Sequence, residues 1–218
     1  GGVSMKIALI HAMTGSVKPI EHAFLRVAPE IELLHFMDTG LLKMVQEGGE
    51  ITPAIIRRFS KLLDTAAESD ADIIQLTCSA FNDLAKVLQP LHTAKIFRSD
   101  EAMLDEALVY KNISLISTVE ATPIALQNYL FEKDKNIQVK SFVNTQALQL
   151  MKQGKQSEHD QLIQGMIREA ESGAEVIVLS QYSMAHVAQQ VNCSIPILTG
   201  PELTAKRCQN YLLTIKNT

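Results

Sequence analysis

The chain has 218 residues, of which 46% are apolar and 20% charged, with a net charge of −4. That is enough chain to bury a core without disulfides or metal, in one domain or two small ones. The acidic balance, with no basic stripe carrying interleaved aromatics, argues against a nucleic-acid partner, and no apolar run approaches the roughly 18 residues of a membrane span.

The residues GGVS before Met5 look like a cloning remnant, so the natural chain is expected to begin MKIALIHAM, without a secretion signal. The first predicted strand is KIALIH (6–11), followed by IELLHF (31–36), DIIQLT (72–77) and AKIF (94–97). ISLIST (113–118), IQVKSF (137–142), EVIVLS (175–180) and IPIL (195–198) continue the series. Between them, TPAIIRRFSKLLDTAAES and EHDQLIQGMIREAESG carry apolar residues at helical spacing. Thr52 before Pro53 suits a helix start and Gly173 a helix stop. Strands alternating with helices imply parallel strands joined by right-handed crossovers, hence an α/β fold.

The chain also repeats itself. ESDADIIQLTCSAFNDLA (68–85) lies over ESGAEVIVLSQYSMAHVA (171–188), and KIALIHAMT matches NISLISTVE at a similar offset. We therefore expect two similar lobes, residues 5–98 and 99–205, each around a parallel four-stranded sheet, with 206–218 returning to the first.

In open parallel sheets ligands bind beyond the carboxyl ends of the strands, and Cys78 stands at such an end. A helix is expected to begin directly after it, and free N–H groups there would lower the thiol pKa and hold a substrate carboxylate. A thiolate beside an anion site suits moving a proton at a carbon next to a carboxylate. Its counterpart in the repeat is Gln181, whose amide donates and accepts hydrogen bonds but does not exchange protons near neutral pH. Thr14 and Ser16 open the helix after the first strand, although plain capping would also explain Ser16. His11, at the end of that strand, is expected to be a hydrogen-bonded structural residue. His186 is expected outside the site, and Cys193 and Cys208 to be structural. His22, His35, His92 and His159 lack metal-ligand spacing, and no dinucleotide or phosphate-loop motif is present, so neither a metal nor a cofactor is expected. Three cysteines without a CxxC pair suit a reducing, cytoplasmic setting.

MKIALIHAMTGSVKPIEHAF, DIIQLTCSAFNDLA, IFRSDEAM, ISLISTVEATP, EVIVLSQYSMAHVA and IPILTGPEL, in this order, resemble the aspartate/glutamate/hydantoin racemase superfamily over nearly the whole chain. The resemblance implies two lobes related by a pseudo-twofold axis, with a cofactor-independent site between them. It also implies two facing cysteines, one per lobe, that remove and return the α-proton of a small carboxylic or amino acid. Ser79, Thr118 and Tyr182, with Thr14 or Ser16, would line the substrate site; Glu120 is either a second base or a solvated first-turn acid. A homo-oligomer is expected. Cys78 matches the first cysteine and Gln181 departs from the second, which leaves racemase-like chemistry with one thiol. A single-thiol decarboxylase or cis–trans isomerase and a non-catalytic small-acid binder are the alternatives.

Overall fold

A computed structural model describes residues 4–217. The first lobe contains β1 (Lys6–His11), α1 (Val17–Val27), β2 (Glu32–Met37), α2 (Thr39–Gly48), α3 (Pro53–Ala67), β3 (Ile73–Leu76), α4 (Leu84–Leu88) and β4 (Lys95–Phe97). The second contains α5 (Glu101–Ala107), β5 (Asn112–Ser117), α6 (Thr122–Lys133), β6 (Gln138–Val143), α7 (Thr145–Lys152), α8 (Gln156–Ala170), β7 (Val176–Leu179) and β8 (Ile197–Leu198), and α9 (Pro201–Lys216) closes the chain. All eight predicted strands form, with ends shifted by a residue or two. Both long helices form as well, and Thr52 caps α3 by accepting from the Ile55 N–H at 3.3 Å.

Each lobe is built on an all-parallel four-stranded sheet, in the orders β2-β1-β3-β4 and β6-β5-β7-β8. The repeat extends to register: Lys6 pairs with Glu32 as Asn112 does with Gln138, and Ile7 with Ile73 as Ile113 does with Val176. It extends to caps, since Asp38 and Asn144 each accept from the N–H two residues on at 3.0 Å. Even the backbone exception repeats: Asp70 takes a φ of +60° where Gly173 takes +76°. This tight reversal feeds β3 and β7, and Gly173 serves it rather than ending α8 directly.

The central strands are apolar on both faces because helices cover both. In β1, Ile7 and Leu9 face α1 and α9 (Ile20, Phe24, Ala205, Cys208, Leu212), while Ala8 and Ile10 face α2 and α3 (Leu41, Val45, Ile55, Phe59). In the second lobe Ile113 and Leu115 face α5 and α6, and Ile116 faces α7 and α8. The last helix thus gives the first lobe the layer that α5 gives the second. Val119 and Leu148 of the second lobe also join the first lobe's core beside Cys78, so the lobes meet in apolar contact as well as polar. Among the described residues no helix is long and apolar enough to cross a membrane.

Candidate active site at the seam between the lobes

Cys78 and Gln181 follow β3 and β7, and each adopts an extended backbone (φ −112°, ψ 117° and φ −110°, ψ 145°) just before a 3-10 segment. The helix expected directly after Cys78 is instead a three-residue 3-10 turn, Ser79–Phe81, and only the five residues of α4 follow it. A full helix terminus is therefore absent at the thiol. The second-lobe equivalent is one long 3-10 stretch, Tyr182–Gln190.

The two strand ends face each other. The side-chain oxygen of Gln181 accepts from the Thr118 N–H at 3.0 Å and from the Thr118 hydroxyl at 3.4 Å, which fixes the amide's orientation. Its nitrogen then donates to Thr122 Oγ1 at 3.0 Å and reaches Ser79 Oγ, on the opposite lobe, at 3.5 Å. Ser79 and Thr122 close the link at 2.8 Å. All four residues are buried, so the seam is a buried polar clasp made by both lobes.

Cys78 lies in this seam only 5% exposed, and its thiol carries the opposite of the expected shift. Burial pushes it from 9.0 up to about 11, against a smaller pull from the Ala80 N–H. Desolvating a thiolate is costly, and a single turn of backbone does not offset it. The thiol is thus a protonated acid at neutral pH.

A second buried chain lies behind it. His11 is fully buried, with Nδ1 at 2.7 Å from Ser16 Oγ and 2.8 Å from Thr77 Oγ1. Its Nε2 is 2.8 Å from His35 Nδ1, and His35 Nε2 is 2.8 Å from Glu21. Because a carboxylate only accepts, His35 carries a proton on Nε2 toward Glu21. Ser16 Oγ also donates to the Met13 carbonyl at 3.2 Å. Burial, helped by His35, lowers the His11 pKa to about 4, which keeps it neutral. His11 is structural, as its position suggested, and Ser16 is occupied inside the protein rather than offered to a ligand.

The remaining expected site residues are spread over three locations. Thr14 is exposed at the edge of a cavity of about 450 Å³ between α2 and α7, where Met151 packs against Gly15 across the seam. Glu120 is exposed in a smaller cavity of about 250 Å³, also between α2 and α7, and so sits at the mouth of the seam. Neither cavity includes Cys78 or Gln181 in its lining. Tyr182 is engaged inside the protein: its hydroxyl donates to Ser99 O at 2.7 Å and meets Thr204 Oγ1 at 2.8 Å. Its ring packs on Gly200, and burial drives its pKa upward. A free donor-rich pocket lined by Ser79, Thr118, Tyr182 and Ser16 is therefore not formed; the hydroxyls spend their bonds on one another.

One residue of the seam escaped the sequence reading. Ser183, two positions past Gln181, is buried with its hydroxyl unpartnered, one of two such side-chain atoms among the described residues. Its counterpart in the repeat is Ala80, so self-comparison aligned it with an apolar residue and passed it over. Cys208 donates to Gln75 at 3.2 Å inside the first lobe, consistent with a structural role, and Cys193 is partly exposed.

Two lobes with identical strand order, meeting at the carboxyl ends of their central strands, are a fold that this chain shares with solved racemase structures. The similar solved structures include an aspartate racemase from Picrophilus torridus (13% identity, TM-score 0.75, covering 95% of this chain and 94% of that one). A glutamate racemase from Francisella tularensis in complex with D-glutamate is 16% identical (TM-score 0.70; 98% and 82%). An allantoin racemase from Klebsiella pneumoniae is 17% identical (TM-score 0.68; 97% and 89%). No family model and no curated protein matches the chain by sequence.

Proposed function

We propose that the protein is a cofactor-independent, racemase-like enzyme that moves a proton at a carbon next to a carboxylate, with Cys78 as its single thiol acid/base. The observation that carries this is the pairing of Cys78 with Gln181 at matched strand ends across the seam. One of the two exchanges protons and the other only hydrogen-bonds, so the two faces of a substrate held between them are not equivalent.

A thiol held protonated by burial is suited to donating. Its S–H proton passes to the carbanion carbon of a substrate, the C–H bond forms, and the thiolate left behind is reprotonated by solvent. The carbanion arises by loss of carbon dioxide, or by passage of the substrate proton to the minor thiolate form of Cys78, which exchanges it with solvent and returns it to the same face; decarboxylation and one-face exchange both fit this asymmetry. Access requires the lobes to part. On parting, Ser79, Thr122 and the Gln181 amide exchange their mutual bonds for those of a carboxylate, with the Ser183 hydroxyl as a further donor. Glu120 and Thr14, at the seam's two mouths, are positioned for substrate entering or leaving rather than for proton transfer. The substrate class is a small carboxylic or amino acid, handled by a homo-oligomer in the cytoplasm.

The test is incubation in deuterium oxide with a panel of amino acids, malonates and maleate, read by NMR. Label should enter one face only and vanish in Cys78→Ala, while Gln181→Cys should gain exchange on the second face. Exchange that survives Cys78→Ala overturns the proposal. Tight binding of one acid with no exchange in the wild type replaces it by the second reading, a small-acid binder, which the fully satisfied Gln181 amide favours.

A further inference from the structure

Away from the seam, the first turn of α8 and the 3-10 helix Tyr182–Gln190 bring His159, Asp160 and His186 together. Asp160 Oδ1 lies 2.7 Å from His159 Nδ1 and 2.8 Å from His186 Nε2. The three potential ligand atoms lie within 4.8 Å of one another, the one group of this kind among the described residues. Linear spacing conceals it, because the two histidines sit on separate elements, and neither was expected to belong to a metal site.

A fourth atom marks the centre of this group. The Gln156 amide nitrogen is 2.8 Å from Asp160 Oδ1, 3.2 Å from His159 Nδ1 and 3.4 Å from His186 Nε2. The arrangement is crowded as well as hydrogen-bonded. Three nitrogens converge on one carboxylate oxygen, and each imidazole nitrogen that donates to Asp160 faces the amide donor as a second donor. If an imidazole nitrogen instead accepts from the amide, it has no proton for Asp160. With the amide swung aside and the imidazole nitrogens deprotonated, the three atoms present lone pairs to a cation drawn in among them.

We propose that His159 Nδ1, Asp160 Oδ1 and His186 Nε2 form a binding site for a divalent transition metal, zinc being the natural occupant. Two imidazoles and one carboxylate are a ligand set that zinc and its neighbours accept, whereas magnesium and calcium prefer oxygen alone. The carboxylate has an outer partner that orients it: Gln190 donates to Asp160 Oδ2 at 3.0 Å and is itself held by Gln164 at 2.8 Å. His159 is buried and His186 is 42% exposed, at the edge of a cavity of about 830 Å³ that provides an open approach. Bound metal would tie α8 to the segment that begins directly after Gln181. The site is therefore structural or regulatory with respect to the seam, and it does not depend on the reading of Cys78.

The experiment uses the full chain stripped with EDTA and titrated with cobalt(II), followed by its visible d–d absorption. Binding should saturate at one equivalent, without a thiolate-to-cobalt charge-transfer band, and zinc should displace the colour. Zinc in excess should also raise Tm by several degrees, because it binds the folded state selectively. His186→Ala, at a partly exposed position that folding tolerates, and Asp160→Asn should each weaken cobalt binding by more than about 100-fold, beyond the about 10–100-fold that loss of an outer partner costs. His22→Ala and Cys193→Ala should leave it unchanged. An absent d–d band, or cobalt affinity retained in both His186→Ala and Asp160→Asn with native circular dichroism, overturns the site.

Discussion

The reactivity of Cys78 tests the seam most directly. With its pKa pushed up to about 11, the thiol is ionised at pH 7.5 in about one molecule in 3,000, against about one in 30 for a thiol at 9.0. Alkylation proceeds through the thiolate, so ionisation alone slows Cys78 about 100-fold. Its 5% exposure adds the cost of parting the lobes. The measurement is timed iodoacetamide labelling of the native protein from pH 7 to 10.5, mapped by peptide mass spectrometry. Cys193 serves as the partly exposed internal reference and Cys208 as a second buried thiol. Cys193 should label first, and Cys78 should trail it by two powers of ten or more at pH 7.5. The Cys78 rate should climb about tenfold per pH unit with no plateau below pH 10. A Cys78 rate that levels off below pH 9, or that comes within a few fold of Cys193 at pH 7.5, would refute the closed seam and the shift together.

The same shift makes an alkaline prediction. Below about pH 9 the Cys78 thiol is protonated in both the folded and the unfolded chain, whereas between 9 and 11 only the folded chain keeps the proton. Stability therefore falls as pH rises through that window, by about 2–3 kcal/mol in total. In urea melts, Cys78→Ser should lose that much less than the wild type between pH 8 and 11, and equal losses would count against the shift. Gly200→Ala would place a Cβ 2.5 Å from the Tyr182 ring, which its bonds to Ser99 and Thr204 hold in place. Overpacking of this kind should cost about 1–3 kcal/mol by chemical denaturation, and a neutral result would mean that the ring is free to move. Asp70→Gly should stabilise by up to about 1 kcal/mol, because the relief of a side chain at φ +60° exceeds glycine's entropy cost. A drop in Tm would show that the Asp70 side chain holds the turn in some other way.

What the sequence determined by itself was the local and repetitive part of this protein. Continuous apolar runs such as KIALIH and EVIVLS are readable as central strands because helices cover both faces of a parallel sheet, and that burial is written into the composition of each strand. The recurrence of ESDADIIQLT as ESGAEVIVLS fixed the equivalence of the two sheets, down to the turn shared by Asp70 and Gly173. It also put Cys78 and Gln181 at corresponding strand ends, since equal spacing from equal strands requires it.

Tertiary structure decided the environments. The polar run Thr77-Cys78-Ser79 reads as an open, helix-capped site, yet the second lobe closes over it and reverses the expected shift of the thiol. Desolvation depends on what lies across the seam, and the residues that lie there, Thr118, Thr122 and Gln181, are distant in the chain. Tyr182 was expected in the site from the resemblance, but its hydroxyl is claimed by Ser99 and Thr204. His159, Asp160 and His186 meet because α8 and the last 3-10 helix pack side by side. A metal site assembled from two elements leaves no spacing in the sequence, since the distance that matters is set by how those elements pack and not by the number of residues between them.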